Sequence, residues 1–369
     1  MKAKFSGWYP KDAGLLGDIW GQAIFVPDAN VLLHCLRHPA NVRDELLRIF
    51  EVLKEAIWIP YQVGLEFHRN RLDVEFGAQD AYERLGQDYE AAINQAREKL
   101  RQLRAHPMIS VERELAALDM FMSDFRARMA EAQAAHPKEE IDAAVVRLTT
   151  LLEGRVGEKW PAEQLNAIKK EGEDRYARKV PPGYKDIKKD GGELGKYGDL
   201  IIWKDLIAKA EAEKRPIVFI SDDAKEDWWW IHRGRKLGPR PELVEELKDR
   251  TGQEFHIYEF AQFLRIAAIR HPEIQAGVVE VEKSLIDDER ARKRQFDAEH
   301  KREAAAEIIR LEDEREQVVA LLSGAPSLEV DLAPPDRSSL RSKLDHIDRE
   351  LAALQDVIRE ANVSPPADA

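Results

Sequence analysis

Ile24-Phe25-Val26-Pro27-Asp28-Ala29-Asn30-Val31-Leu32-Leu33 decides how this chain is read. A β-branched and aromatic run ends at a proline and delivers Asp28 to its carboxyl end, and the aliphatic residues that follow open a helix. Three more acidic segments stand beside apolar runs: Gly64-Leu65-Glu66-Phe67, Tyr197-Gly198-Asp199-Leu200 and Phe219-Ile220-Ser221-Asp222-Asp223. Burying an unpaired carboxylate is so costly that several converging ones imply protonation, hydrogen bonding or a hard divalent cation held by oxygen ligands. The cation is the expectation.

Outward from that stretch, strands alternate with helices. Asn41 to Glu55 has Leu46, Leu47, Phe50 and Leu53 at helical spacing, Ile57-Trp58-Ile59-Pro60 is a strand closed by its proline, and a helix over Gln62 to Arg71 carries Glu66. Gln79 to Gly157 reads as three helices, broken at His106-Pro107 and His136-Pro137. Lys159 to Gly198, with Pro181-Pro182-Gly183 and Gly191-Gly192, reads as a mobile, partly ordered basic loop. Asp199 opens a helix over Leu200 to Glu213, Pro216 to Ile220 and Phe255 to Tyr258 are strands, and Glu259 to Ile269 is a helix. This order predicts an α/β fold, a parallel sheet covered by helices, with its site beyond the carboxyl ends of the strands. Asp28 and Asp222-Asp223 fall on that edge.

After Pro272 the character changes. Val278 to Leu322 is a long charged helical run, Ser323 to Pro335 a break, and Ser338 to Glu360 helical again. Leu340, Leu344, Ile347, Leu351, Leu354 and Ile358 alternate four- and three-residue steps, and Ile308, Leu311, Val318 and Leu322 offer a partial matching seam. A C-terminal α-helical hairpin satisfies the pattern, as does a coiled coil between two chains or with a protein partner. The expected division is a domain over 1–272, with a helical insertion over about 78–157 and a basic loop over about 158–198, then the hairpin over 273–362 and a disordered tail over 363–369.

Composition narrows the class. The chain has 369 residues, 44% of them hydrophobic, which suffices for a core, and one cysteine, Cys35, which forms no internal disulfide. No apolar stretch follows Ala3 to Gly7 as a secretory signal requires, and no run approaches the roughly 18 apolar residues of a membrane span. A cytoplasmic protein without membrane contact is expected. The net charge of −12 argues against general polyanion binding, but Lys159 to Lys196 holds ten basic against seven acidic residues, and Lys225 to Arg240 five against two. The histidines lack a cysteine partner or ligand spacing, which argues against zinc.

Two sets of residues carry a family resemblance. Phe25 to Leu33 is similar to the opening strand of PIN-domain nucleases, an Asp, one residue, then Asn or Ser. Trp58-Ile59-Pro60-Tyr61-Gln62-Val63-Gly64-Leu65-Glu66-Phe67-His68-Arg69-Asn70-Arg71, with Lys196-Tyr197-Gly198-Asp199 and Ser221-Asp222-Asp223-Ala224-Lys225-Glu226-Asp227-Trp228-Trp229, resembles the larger prokaryotic PIN-like proteins long catalogued as a domain of unknown function. The resemblance spans roughly Phe5 to Phe263. It implies a PIN-like, Rossmann-like fold and a divalent-metal-dependent endonuclease whose acidic cluster is Asp28, Glu66, Asp199 and an Asp after the last motif strand. Ser221 aligned with the family's Thr/Ser-x-Asp favours Asp223, whereas strand-end geometry favours Asp222. The choice stays open.

One or two Mg²⁺ or Mn²⁺ ions would generate the nucleophile from water and neutralise phosphoryl charge. Asp28 with Asp223 or Asp222 would contact the first ion, Glu66 and Asp199 a second ion or the attacking water, and Asn30, Ser221 and Asp227 would hold the carboxylates. Arg69, Arg71, Lys196, Lys225, Arg233, Arg235 and Lys236 would meet the phosphates of a nucleic acid, RNA ahead of DNA by family habit. Competing structural roles exist: Asp28 as a helix cap, Glu66 paired with Arg69 or Arg71, Asp199 as an N-cap, and Trp228-Trp229-Trp230 as core packing rather than base stacking.

Overall fold

The computed structural model describes residues 1, 4–103, 109–135, 138–187, 195–323 and 337–362. They fall into two compact units, Met1–Glu282 and Lys283–Ala369. The expected breaks at His106-Pro107, His136-Pro137 and Gly191-Gly192, all but the first residue of the Ser323 to Pro335 break, and the tail over 363–369 lie outside the described residues.

In the first unit, α1 (Ala13–Gln22) starts on Asp12, whose carboxylate accepts from the Leu15 amide. β1 (Ile24–Pro27), α2 (Ala29–Arg37) and α3 (Ala40–Leu53) follow. Next come α4 (Tyr61–Gln102), α5 (Val111–Ala134), α6 (Lys138–Leu152), α7 (Ala162–Ala177) and α8 (Gly198–Glu213). The chain then forms β2 (Ile217–Ile220), a hairpin of β3 (Trp229–His232) and β4 (Arg235–Pro239), α9 (Pro241–Thr251), β5 (Phe255–Tyr258) and α10 (Phe260–Arg270).

β1, β2 and β5 form a parallel sheet in the order β1-β2-β5, with Ile24 opposite Ile217 and Ile217 opposite Phe255. Every residue of β1 and β2 is buried, as a sheet covered on both faces requires. Beyond β1 the sheet continues through single parallel bridges, Phe25 to Ile57 and Ile59 to Val156. Leu32, Leu46, Val218, Trp203, Phe260 and Leu264 are at most 1% exposed and form the core on the two faces, each contributing about 1.5–3 kcal/mol by leaving water.

Two expectations are corrected. The helix carrying Glu66 does not stop near Arg71; α4 runs 42 residues, because Gly77 and Gly86 each cost only about 1 kcal/mol in an otherwise strong helix-forming run. Tyr89 on α4 stacks on Phe125 of α5 with centroids 4.4 Å apart, and Arg126 pairs with Glu90, so the insertion grows out of the site's own helix. The segment read as a basic loop contains α7, 16 residues begun after Pro161. Its flanking prolines and glycines masked a helix-forming interior.

The second unit contains most of α11 (Gln275–Ser323) and α12 (Arg337–Asn362), a C-terminal helical hairpin. Leu311, Val318, Ile347 and Leu351 are buried at its seam, with Ile308, Leu322, Leu340, Leu344 and Leu354 packed against them, and Arg315–Asp348 and Lys343–Glu314 ion pairs flank it.

Candidate metal centre at the sheet edge

Asp28 emerges from β1 with its backbone amide bound to the Ile220 carbonyl of β2, which fixes it at the carboxyl edge. Its Oδ1 accepts from the Ala29 amide at 2.8 Å, and its Oδ2 accepts from Asn30 Nδ2 at 2.8 Å and from Ser221 Oγ at 2.7 Å. The aspartate therefore both caps α2 and presents a carboxylate oriented from three sides. Even so, burial, then the negative charge of Glu66, push its pKa up to about 7 despite the stabilising bonds from Ser221 and Ala29.

Glu66 sits in the second turn of α4, its Oε1 accepting from Gln62 Nε2 at 2.7 Å. Gly198 opens α8 against it: a Cβ there would lie 2.8 Å from Glu66 Oε1. Asp199 follows in the first turn of α8, where Tyr197, not Asp199, is the N-cap residue. Burial raises the Asp199 pKa to about 7, with Asp186, Asp223 and Asp28 adding to the rise and Lys225 opposing it.

Asp222 and Asp223 diverge, as consecutive residues past a strand do. Asp223 turns toward the cluster, with its amide on Ser221 Oγ at 3.1 Å and its carboxylate accepting from the Lys225 amide at 3.0 Å. Asp222 turns to the other side, accepting from the Phe260 amide at the start of α10 (3.1 Å) and contacting His34 Nε2 at 2.7 Å. His34 and His38, one turn apart on α2, are both buried and 3.1 Å apart through Nδ1 and Nε2. Their four-residue spacing was the signal passed over above, and it adds nitrogen donors beside the sheet edge.

Lys225 reaches into the acids. Its ammonium lies 2.8 Å from Asp223, 2.9 Å from Asp186 and 3.4 Å from Asp199. Burial alone would depress its pKa, but Asp199, Asp223 and Asp186 outweigh burial and hold it well above the usual lysine value. Asp186, which carried no motif at all, is placed by Asp227: the Asp227 Oδ2 accepts from the Gly183 and Lys185 amides at 3.0 and 3.2 Å, clamping the turn Tyr184–Asp186. Asp227 is fully buried, and among the described residues its Oδ1 has no hydrogen-bond partner.

Of the five carboxylates Asp28, Glu66, Asp186, Asp199 and Asp223, three share the Lys225 ammonium, and Asp28 and Asp199 have raised pKa values, first because they are buried and then because neighbouring carboxylates repel their charge. All their donors are oxygen, the set that suits Mg²⁺ or Mn²⁺. Among the described residues no three of these carboxylates bring oxygens within 4.8 Å of one another. The Lys225 ammonium stands among three of them.

A family profile described as PIN like domain matches residues 24–243, more than half of the chain. The chain belongs to that family. No curated protein and no solved structure matches it. In this PIN like domain the matched span runs from β1 through the start of α9 and includes all four acidic segments.

The basic residues of the PIN like domain are not equivalent. Lys225 is committed to carboxylates rather than open to phosphate, Lys236 pairs with Glu259 and lies over the Trp229 ring, and Arg71 pairs with Glu75. Lys196 lies over the Tyr197 ring, while Arg69, Arg233 and Arg235 are exposed. Trp228 and Trp229 are buried, and Trp230 is half-buried. Among the described residues no helix is long and apolar enough to cross a membrane.

Proposed function

We propose that this PIN like domain is a divalent-metal-dependent endonuclease that hydrolyses phosphodiester bonds, in RNA in preference to DNA, in the cytoplasm. The observation that carries this reading is the gathering of acids from the ends of β1 and β2 and from α4 and α8 at one sheet edge, where burial first and neighbouring carboxylates second raise the pKa values of Asp28 and Asp199. Asp28 and Asp223 would hold Mg²⁺ or Mn²⁺, and Glu66 and Asp199 would hold a second ion or orient the attacking water. When bound, the metal would supply an activated water and neutralise phosphoryl charge. Ser221, Asn30 and the Ala29 amide fix the direction of the Asp28 oxygens, and Asp227 fixes the turn that carries Asp186. Asp222, engaged with α10 and His34, is a positioning group in this reading.

The working division is a nuclease domain over residues 1–272, with the helices over about 78–157 as its insertion. The hairpin over 273–362 would serve to pair with a second chain or a protein partner. Cleavage of single-stranded RNA, duplex RNA and branched DNA with Mn²⁺, with Asp28→Asn as control, tests the activity and its substrate. Equal activity in that variant rejects the assignment.

A second reading has an observation of its own. Lys225 already neutralises part of the cluster, as it would in an inactive scaffold that works through its C-terminal helices. Titration calorimetry separates the two: absence of heat with Mn²⁺ favours the scaffold.

A further inference from the structure

The aromatic residues beside the acidic edge are not all spent on packing. The N-terminal turn Ser6–Trp8, the β3–β4 hairpin, β5 and α10 enclose a cleft of about 510 Å³ whose walls include Trp8, Tyr9, Trp229, Trp230, Tyr258 and Lys236. That volume lies in the range of small-ligand sites, roughly 300–1,000 Å³. Trp8 is 46% exposed and Tyr9 37%, although large rings normally bury most of their surface. Trp8 and Trp230 meet edge to face, centroids 5.5 Å apart, so each leaves aromatic surface uncovered by the other.

Two further observations say what such a wall would receive. The hairpin turn Arg233-Gly234 has both residues at positive φ, 49° and 74°, and displays Arg233 and Arg235 on the surface. Among the described residues neither arginine has a carboxylate partner, whereas Lys11 and Lys236, which line the cleft, are neutralised by Glu254 and Glu259. Free guanidinium charge thus sits on the element that forms the aromatic wall, the combination that binds unpaired bases and their phosphates. The wall is also tied to the acids: Trp229 Nε1 donates to the Asp223 carbonyl at 2.6 Å.

We propose that this cleft is a base-stacking subsite for an unpaired nucleobase of single-stranded nucleic acid, with Arg233 and Arg235 engaging the flanking phosphates. The proposal rests on the nuclease reading and deepens it by naming unpaired strands as the substrate class. Trp8 and Trp230 supply the faces, and the Trp229–Asp223 bond sets the cleft beside the acidic centre.

Fluorescence polarisation in EDTA tests it on the full chain, with a labelled uridine strand of about 12 nucleotides, the same strand built from abasic residues, and a duplex of equal length. Expected are tighter binding of the uridine strand than of either control, and a loss of about 5- to 100-fold for Trp230→Ala and for Trp8→Ala, each removing one aromatic contact with the base. Trp230→Phe, which keeps an aromatic face, retains most of the affinity. Replacing Arg233 and Arg235 by Glu weakens all strands and lowers the salt dependence by about two phosphate contacts. Equal binding of abasic and uridine strands overturns the subsite, as do alanine variants that are folded by circular dichroism and bind like the parent. The assay contains no metal and needs no cleavage. A protein that cuts RNA but ignores bases loses only the subsite, and one that binds bases but never cuts loses only the nuclease reading.

Discussion

Ser221, one residue past β2, donates its hydroxyl to the Asp28 carboxylate, one residue past β1, over 2.7 Å. The same oxygen accepts from the Asp223 amide at 3.1 Å, so one small side chain sets the direction of two acids on neighbouring strands. Ser221→Ala leaves both groups short of a partner and is expected to cost about 1–3 kcal/mol by urea denaturation. It also removes a bond that favours ionised Asp28, so the Asp28 pKa moves further up. An unchanged unfolding midpoint would show that water replaces the hydroxyl.

Asp28→Asn is expected to abolish cleavage and to alter the pH dependence of stability in a defined direction. A folded pKa of about 7 against the ordinary 3.8 means that the folded state binds more protons between those values, so stability falls as pH rises from about 4 to 7 and levels off above. The amide removes that loss but meets Asn30 Nδ2 as a second donor. The difference between variant and parent therefore shifts in the variant's favour by about 1–3 kcal/mol from pH 4.5 to 8. Parallel thermal-melt curves across that range would contradict it.

Lys225→Met leaves Asp186, Asp199 and Asp223 without their ammonium. The expected loss at pH 8 is about 2–4 kcal/mol, smaller at pH 5, below the raised pKa of Asp199 at about 7. Mn²⁺ should raise the melting temperature of the variant more than that of the parent, because more carboxylate charge is left for it. Equal shifts would mean that Lys225 and the cation do not share ligands.

Gly198→Ala separates stability from activity. Its Cβ would lie 2.8 Å from Glu66 Oε1, the end of a flexible side chain that can swing away, and alanine favours the helix by about 1 kcal/mol. Stability should change by less than about 1 kcal/mol while cleavage drops at least about tenfold, by displacement of Glu66. Full activity would remove Glu66 from the machinery.

Asp205 on α8 lies outside the acidic centre. It is buried, its Oδ1 accepts from Trp160 Nε1 at 2.6 Å, its Oδ2 has no hydrogen-bond partner among the described residues, and burial pushes its pKa up to about 7. As with Asp28, a raised carboxylate pKa means stability lost as pH rises from about 4 to 7. Asp205→Asn keeps the acceptor and removes the charge, so a gain of about 1–2 kcal/mol is expected at pH 8 and little at pH 4. A pH-independent effect in calorimetry would assign the change to packing.

Periodicity and punctuation carried much of the architecture. Ile24 to Pro27 and Ile217 to Ile220 are legible as strands because a sheet buried on both faces must be apolar throughout, and Phe255 to Tyr258, the outer strand, is legible from its aromatic and β-branched residues although His256 interrupts the run. The Leu340 to Leu354 seam is legible because a hairpin repeats its contacts. Local signals misled where ends outweighed interiors: prolines and glycines hid α7, and the Arg233-Gly234 turn of the β3–β4 hairpin lacks the usual Asn or Asp before its glycine.

By itself, then, the sequence determined that Asp28, Ser221, Asp222 and Asp223 stand just past apolar strands, because strand ends are written in consecutive residues. Only the tertiary structure decided that Asp223 faces the acids while Asp222 faces α10, that Lys225 lies among three carboxylates, and that Asp186 is one of them. Those outcomes depend on the direction a side chain takes after a turn and on segments brought together from separate parts of the chain. Neither quantity has a period that a linear sequence can display.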